Sequence, residues 1–132
     1  ADDHGITSLE GIQCLTSLTS LLLSDNEISD LSPVAALFAL QELVVDGDQI
    51  SDLSPLASLT ALDQLSMEDD QITDLGPLNG APWLSECDYI NLKGDPIDAD
   101  EEAEDIAALD AAGACVFGDW GYSDMCEPCD WP

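Results

Sequence analysis

Basic residues are almost missing from this sequence. Lys93 is the only Lys or Arg among 132 residues, against 29 Asp and Glu, and the formal net charge is −28. Nothing in the chain can displace counter-ions from phosphates or settle on an anionic bilayer, which excludes electrostatically driven nucleic-acid binding and attachment to membrane surfaces. Apolar runs are short as well: none reaches the roughly 18 residues of a bilayer-spanning helix, so no membrane insertion is expected. Ala1-Asp2-Asp3-His4 offers neither a basic start nor an apolar stretch, as expected of a secreted chain whose signal peptide has been removed. Catalytic signatures are missing too. No Gly-rich phosphate loop, His-Glu-x-x-His or Gly-x-Ser-x-Gly occurs, and His4 has no Ser or Cys at a spacing that would pair a nucleophile with a base. No catalytic residue is assigned, and the chain reads as non-enzymatic.

What is present is a period of 22 residues. Ile6, Ile28, Ile50 and Ile72 fall in one column; Leu9, Leu31, Leu53 and Leu75 in a second; Ile12, Val34, Leu56 and Leu78 in a third. Gly11, Pro33, Pro55 and Pro77 share a turn column, and Asp30, Asp52 and Asp74 another. Within each unit Leu18-x-x-Leu21-x-Leu23-x-x-Asn26-x-Ile28 recurs as Leu40, Leu43, Val45, Asp48, Ile50 and as Leu62, Leu65, Met67, Asp70, Ile72, the leucine-rich-repeat signature. The x-Leu-x-Leu-x segment predicts a short strand with alternate side chains inward. One strand per coil then stacks into a parallel sheet on a concave face, and the Ser-Pro segment returns on the convex side, where no ladder hydrogen bond is needed.

Residues 50–62, Ile-Ser-Asp-Leu-Ser-Pro-Leu-Ala-Ser-Leu-Thr-Ala-Leu, resemble the 22-residue repeats of bacterial internalin-type proteins, over residues 6 to about 117. The expected fold is an α/β leucine-rich-repeat solenoid with a short parallel sheet and a C-terminal helix-strand cap. Residues 1–97 form about four coils, 98–118 a closing unit and 119–132 a tail rich in Cys and Trp. Leu84 and Ile90 are six apart where Leu62 and Leu65 are three apart, so three residues around Cys87 are inserted before the strand Tyr89 to Leu92. After Ile97 an amphipathic helix is predicted, with Asp98 as N-cap, Glu101 completing a capping box and Gly113 as its stop. Residues 114–117 read as a last strand. Helix and strand together resemble the unit that closes bacterial arrays of this type.

Five cysteines, Cys14, Cys87, Cys115, Cys126 and Cys129, point to an oxidising, extracellular or cell-surface setting. Asp124, Glu127 and Asp130 surround Cys126 and Cys129 and would raise a thiol pKa, against redox catalysis. Structural disulfides are adopted, with Cys87 to Cys115 the leading pair. Bonds from either to Cys126 or Cys129 stay open, and a four-cysteine zinc site is the alternative. Cys14 reads either as a small buried thiol or as a link to Cys126 or Cys129 of another copy.

The acids form ladders. Asp48, Asp70 and Asp95 replace the residue type of Asn26 in its column, and ionised Asp only accepts hydrogen bonds. Coils stack roughly 4.7–4.9 Å apart, where like charges repel by about 1 kcal/mol per pair in water and about 4 at an effective dielectric of 20. Calcium, bound by oxygens at about 2.3–2.6 Å, would relieve this. Two ligand sets are expected: Asp46, Asp48, Glu68, Asp69 and Asp70 near one turn, and Asp30, Asp52 and Asp74 near the other. A solvated surface adapted to high salt is the alternative.

Function is expected to rest on protein–protein contact. One reading is a self-assembling, filament-type subunit. Copies stack head to tail, the uncapped coil from Ile6 to Leu23 receives the next copy's C-terminal unit, and Trp120, Tyr122 and Trp131 anchor the junction. The alternative, implied by the resemblance, is a monomeric secreted or cell-surface module that binds another extracellular protein on its concave face, where Leu22 and Val44 make an apolar strip with an acidic border.

Overall fold

A computed structural model of the chain describes residues 4–122, and of Tyr122 the backbone alone. The strands β1 (Ser20–Leu22), β2 (Glu42–Val44), β3 (Gln64–Ser66), β4 (Tyr89–Asn91) and β5 (Cys115–Gly118) are parallel and hydrogen-bonded in chain order. β6 (Gly121–Tyr122) then folds back antiparallel on β5, so residues 119–122, read from sequence as tail, join the sheet. Trp120 in this hairpin lies against Gly118, at a place where any larger residue would collide with the indole.

The register follows the repeat. Leu21, Leu43, Leu65, Ile90 and Val116 are mutual partners across the sheet, and every one is buried. Two residues on, Leu23, Val45, Met67 and Leu92 point to the same side and are buried too, as the period-two alternation of a strand requires. On the return side, Pro33, Pro55 and Pro77 each sit in the first turn of a 3-10 segment, Ser32–Ala36, Ser54–Ser58 and Gly76–Leu78. There the fixed proline φ is already suited to the turn and its missing N–H has no partner to lose. Val34, Leu56 and Leu78 pass from these turns into the core.

Position in the stack decides how much of each unit is buried. Leu37 and Leu59 are 0 % exposed, whereas Leu15, in the same column of the first described coil, is 54 % exposed. The pattern is equal in all three; only the inner two are covered by a coil on either side.

The insertion falls where the spacing placed it. Ser20 pairs with Glu42 and Glu42 with Gln64, but Gln64 pairs with Tyr89, and the three added residues bulge at the entrance to β4. Cys87 adopts a left-handed φ of 69° there and donates its N–H to the Gly113 carbonyl at 3.0 Å, tying the bulge to the closing unit. Buried Asp88 accepts from the backbone and hydroxyl of Ser85 and so holds the loop shut.

The closing helix α1 (Ala103–Ala111) starts later than the capping-box reading placed it. Asp98 does cap, but it caps a preceding turn: its Oδ1 accepts from the N–H groups of Asp100 (3.0 Å) and Glu101 (3.3 Å), and its carbonyl from Glu102. Glu102 is drawn away to the last repeat, accepting the Leu75 N–H at 2.9 Å. Gly113 stops the helix as expected, at φ 94°, with the Gly113 and Ala114 N–H groups bonding back to Asp110 and Leu109.

Candidate functional site: the sheet face and the acid columns

The outward side of the sheet is one continuous face. Leu22, Val44, Ser66, Asn91 and Phe117 form a row across it by strand register. Leu22 is 45 % exposed and Val44 half-buried beside it, so the sequence-predicted apolar strip exists at that end. At the other end Tyr89 and Phe117 pack ring against ring at 5.2 Å, and the Lys93 ammonium stands 5.7 Å from the centre of the Phe117 ring. Lys93 is where the strand spacing puts it, flanking the outward Asn91, whereas the aromatic pair was not foreseen, although Phe117 follows from continuing the row into the last strand.

Acids run between the two ends and are knitted across strands. Ser20 donates to Glu42 at 2.6 Å; Asp46 accepts from the Ser66 hydroxyl at 2.7 Å and the Glu68 N–H at 2.8 Å; Asn91 donates to Glu68. A shallow polar depression beside them is lined by Thr19, Ser20, Gln41, Glu42, Asp63 and Gln64. The face therefore presents carbonyl and carboxylate acceptors beside small apolar and aromatic patches, suited to holding cationic groups of a partner by charge-assisted hydrogen bonds.

The two predicted acid ladders do different work. Asp30, Asp52 and Asp74 each accept the N–H two residues on, from Ser32 (2.8 Å), Ser54 (2.9 Å) and Gly76 (2.8 Å), and so close an Asx turn at the entry to a 3-10 segment. They are exposed. Hydrogen bonds from the Ser32 hydroxyl and backbone hold Asp30 below the usual carboxylate pKa, and Ser54 does the same for Asp52.

Asp48, Asp70 and Asp95 are the opposite case, only 6 %, 6 % and 5 % exposed. Each Oδ1 accepts an N–H of the preceding coil, from Ile28 at 2.8 Å, Ile50 at 3.0 Å and Ile72 at 3.1 Å. Each Oδ2 is buried without any hydrogen-bond partner. Burial is the main cause that pushes all three upward, Asp70 and Asp95 to about 7.

A third column went unnoticed in the sequence: Asp25, Gly47, Asp69, Gly94. All four take left-handed φ values, 58°, 74°, 58° and 80°. The Asp25 carboxylate lies over Gly47, 2.8 Å from where a Cβ would be, and Asp69 lies over Gly94 in the same way. Alternation of Asp and Gly along this column gives each carboxylate room and keeps the two acids from sitting on adjacent coils.

Neither expected calcium set is gathered into one. Asp48 and Asp70 spend their inner oxygens on backbone N–H groups, Asp69 covers Gly94, Asp46 and Glu68 bond across the sheet face, and Asp30, Asp52 and Asp74 close separate turns. Among the described residues the acids that do converge are Asp74, Glu102 and Asp105, whose oxygens lie within 4.8 Å of one another. Asn79 already donates to Asp105.

Cys87 and Cys115 are both disulfide-bonded, which removes them as zinc thiolates. Cys126 and Cys129 lie outside the described residues, and connectivity among the four stays with the sequence-level expectation. Cys14 is a free, exposed thiol rather than a buried one. Trp120 packs half-buried against the core; the Tyr122 side chain and Trp131 lie outside the description.

No protein-family model and no curated protein sequence matches the chain. Solved structures do. A crystal structure of internalin C2 from Listeria monocytogenes superposes with a TM-score of 0.75 and 32 % identity, covering 89 % of this chain and 50 % of that one. Internalin F from the same organism gives 0.71 and 32 %, covering 85 % and 32 % respectively. The chain spans half the length of the first and about a third of the second.

Proposed function

The chain is an internalin-type leucine-rich-repeat array, and from that premise we propose that it acts as a non-enzymatic, extracellular or cell-surface module that binds another protein through the outward face of its sheet. The observation that carries this reading is the continuity of that face. Apolar Leu22 and Val44 stand at one end and the Tyr89, Phe117 and Lys93 group at the other, with Glu42, Asp46 and Glu68 between them. With a chain charge of −28, a partner with basic side chains around a small apolar contact is the complementary class. The disulfide-bonded Cys87 and Cys115 fit an oxidising compartment. No helix among the described residues is long and apolar enough to cross a membrane.

Contact between copies is the second reading. It is favoured by the 54 % exposed Leu15, which a coil stacked on that end from a second copy would bury. Chains of this charge would need screening to meet, by concentrated salt or by calcium at Asp74, Glu102 and Asp105.

A photo-crosslinking residue at position 66 on the sheet face, compared with one at position 54 on the return side, tests both. A single defined protein captured from position 66 alone supports the first reading. Cross-linked multimers of the chain itself support the second, and equal capture from both positions overturns a face-specific role.

A further inference from the structure

Asn26, Asp48, Asp70 and Asp95 occupy one place in four successive coils, each answering an N–H of the coil before it. Asn26 shows what the place requires. Its Oδ1 accepts from the Ile6 N–H at 3.0 Å and the His4 N–H at 3.2 Å; its Nδ2 donates to the carbonyls of Leu23 and Ser24. One atom accepts from the neighbouring coil and the other donates to the turn of its own. The aspartates reproduce the accepting half with Oδ1. Oδ2 is then the atom left to answer for the amide nitrogen, and it is buried without a hydrogen-bond partner. An ionised carboxylate would set a second negative oxygen where the fold asks for a donor, an arrangement that is costly away from water. A carboxylic acid has the required shape and the required O–H.

We propose that Asp48, Asp70 and Asp95 are held as neutral carboxylic acids, each Oδ2–H standing in for the side-chain N–H of Asn26, so that the coils share a proton-binding spine.

The surroundings reinforce this. The charges that raise the three are acids: Asp25 and Asp46 for Asp48, Asp95, Asp48 and Asp46 for Asp70, and Asp69 and Asp119 for Asp95. Among the described residues, what opposes them is backbone N–H groups: Ile28 and Asn26 for Asp48, Ile50 for Asp70, Ile72 and Asp70 for Asp95. The lone lysine is placed over the Phe117 ring. Burial outweighs the N–H groups in each case, and Asp70 and Asp95 reach about 7. Asp70 lies between the other two, and the charge of each raises it further.

Because these groups bind protons more tightly folded than unfolded, their contribution is complete below about pH 4, the unfolded carboxylate value, and is lost as pH rises towards about 7. Across that window the folding equilibrium constant falls by about tenfold per pH unit for each group that titrates. The spine would therefore stiffen the array in acidic surroundings and loosen it in neutral ones.

The test is a carbon-13 NMR titration of the intact chain labelled at Asp carboxyl carbons, with Asp48→Asn, Asp70→Asn and Asp95→Asn variants to assign the signals. The expected result is that the Asp70 and Asp95 carboxyls are still largely protonated at about pH 6, with Asp48 ionising later than an ordinary carboxyl, while Asp30 and Asp52 are fully ionised. In parallel, the denaturant midpoint of the unmodified chain should fall between about pH 5 and pH 8, and the triple Asn variant should lose that slope. Carboxyls of Asp70 and Asp95 that ionise with their exposed counterparts overturn the proposal, whether or not a variant folds. So does a calcium-dependent gain at about pH 8 that the triple variant abolishes, since it would show Oδ2 holding a cation in place of a proton.

Discussion

The chain carries the same residue at the same period on two sides of each coil, with opposite consequences. At the outer turn Asp30 and Asp52 are exposed, accept hydrogen bonds from a neighbouring serine and are pulled below their ordinary pKa. At the inner turn Asp48, Asp70 and Asp95 are buried, leave one oxygen unanswered and are pushed above it. Which atoms face the second oxygen decides the sign, not the sequence pattern. The outer column adds stability that is present at neutral pH and lost as pH falls through its lowered pKa; the inner column adds stability at low pH that is lost on the way to about 7. Together they place the best-folded range near the ordinary carboxylate value of about pH 4, with stability falling away on either side.

The largest effect should come from making the inner column permanently neutral. Asp70→Asn restores a donor at a buried acceptor and should stabilise the chain by about 1–3 kcal/mol at about pH 8. At about pH 4, where the unfolded carboxyl too begins to hold its proton, the gain should shrink towards zero. Chemical denaturation at the two pH values checks this, and equal gains at both would erase the distinction between the columns. Asn26→Asp is the mirror experiment, with a loss of similar size confined to high pH.

The column that behaves like neither comes next. Gly94→Ala puts a side chain at a left-handed φ of 80° and into the Asp69 carboxylate. A cost of roughly 1–2 kcal/mol is expected from the backbone alone, with a further loss from the collision. Adding Asp69→Gly should recover only the collision part. Full recovery would mean that the backbone conformation, not the Asp–Gly alternation, had been misjudged.

Much of this was legible in the residues alone. The 22-residue period placed the repeat strands, the inward leucines and the three-residue bulge at Cys87, and the glycine signal at a helix end placed the stop at Gly113. Even the conflict at the inner column was visible, because Asp stands where an amide must donate. What the period could not show is which face of a coil a column occupies once the turn closes. Both sets of acids therefore read as ladders facing each other and awaiting a cation. The outer set carried a local signal that resolves it: Asp two residues before Ser or Gly and three before Pro is the pattern of a side chain closing its own turn. The helix start was misplaced for a similar reason. Asp98 and Glu101 satisfy the capping-box spacing, but Glu102 and Asp105 are recruited by Leu75 and Asn79 of the last repeat, a long-range demand that local spacing does not carry.

A smaller effect is expected at the outer column itself. Asp52→Ala removes the acceptor for the Ser54 N–H and should cost about 1 kcal/mol at neutral pH, the usual net worth of such a hydrogen bond. The loss should fade in acid as the carboxylate of the unmodified chain is protonated, opposite in direction to the inner-column variants. Thermal unfolding of Asp52→Ala and Asp70→Asn across one pH series would show the two curves diverging from the unmodified chain at opposite ends.

The smallest effect sharpens the comparison most. Asp52→Asn keeps an acceptor for the Ser54 N–H but gives up the stronger charge-assisted bonds from Ser54 that hold Asp52 below its usual pKa. Asp30 does raise Asp52 electrostatically, but as the last of its causes, behind the Ser54 hydrogen bonds and desolvation. Between exposed groups such repulsion is screened within about 8–10 Å at moderate salt. Relief of that repulsion is therefore worth less than the charge-assisted bonds given up, and the substitution should cost no more than a few tenths of a kcal/mol at neutral pH and little in acid, where the carboxylate of the unmodified chain is itself neutral. Calcium at matched ionic strength should act no differently from sodium on this site, because the oxygens that would ligate it are engaged one to a turn. A gain as large as that of Asp70→Asn would instead put the outer column in a low-dielectric setting, and the contrast between exposed and buried aspartates would no longer explain their behaviour.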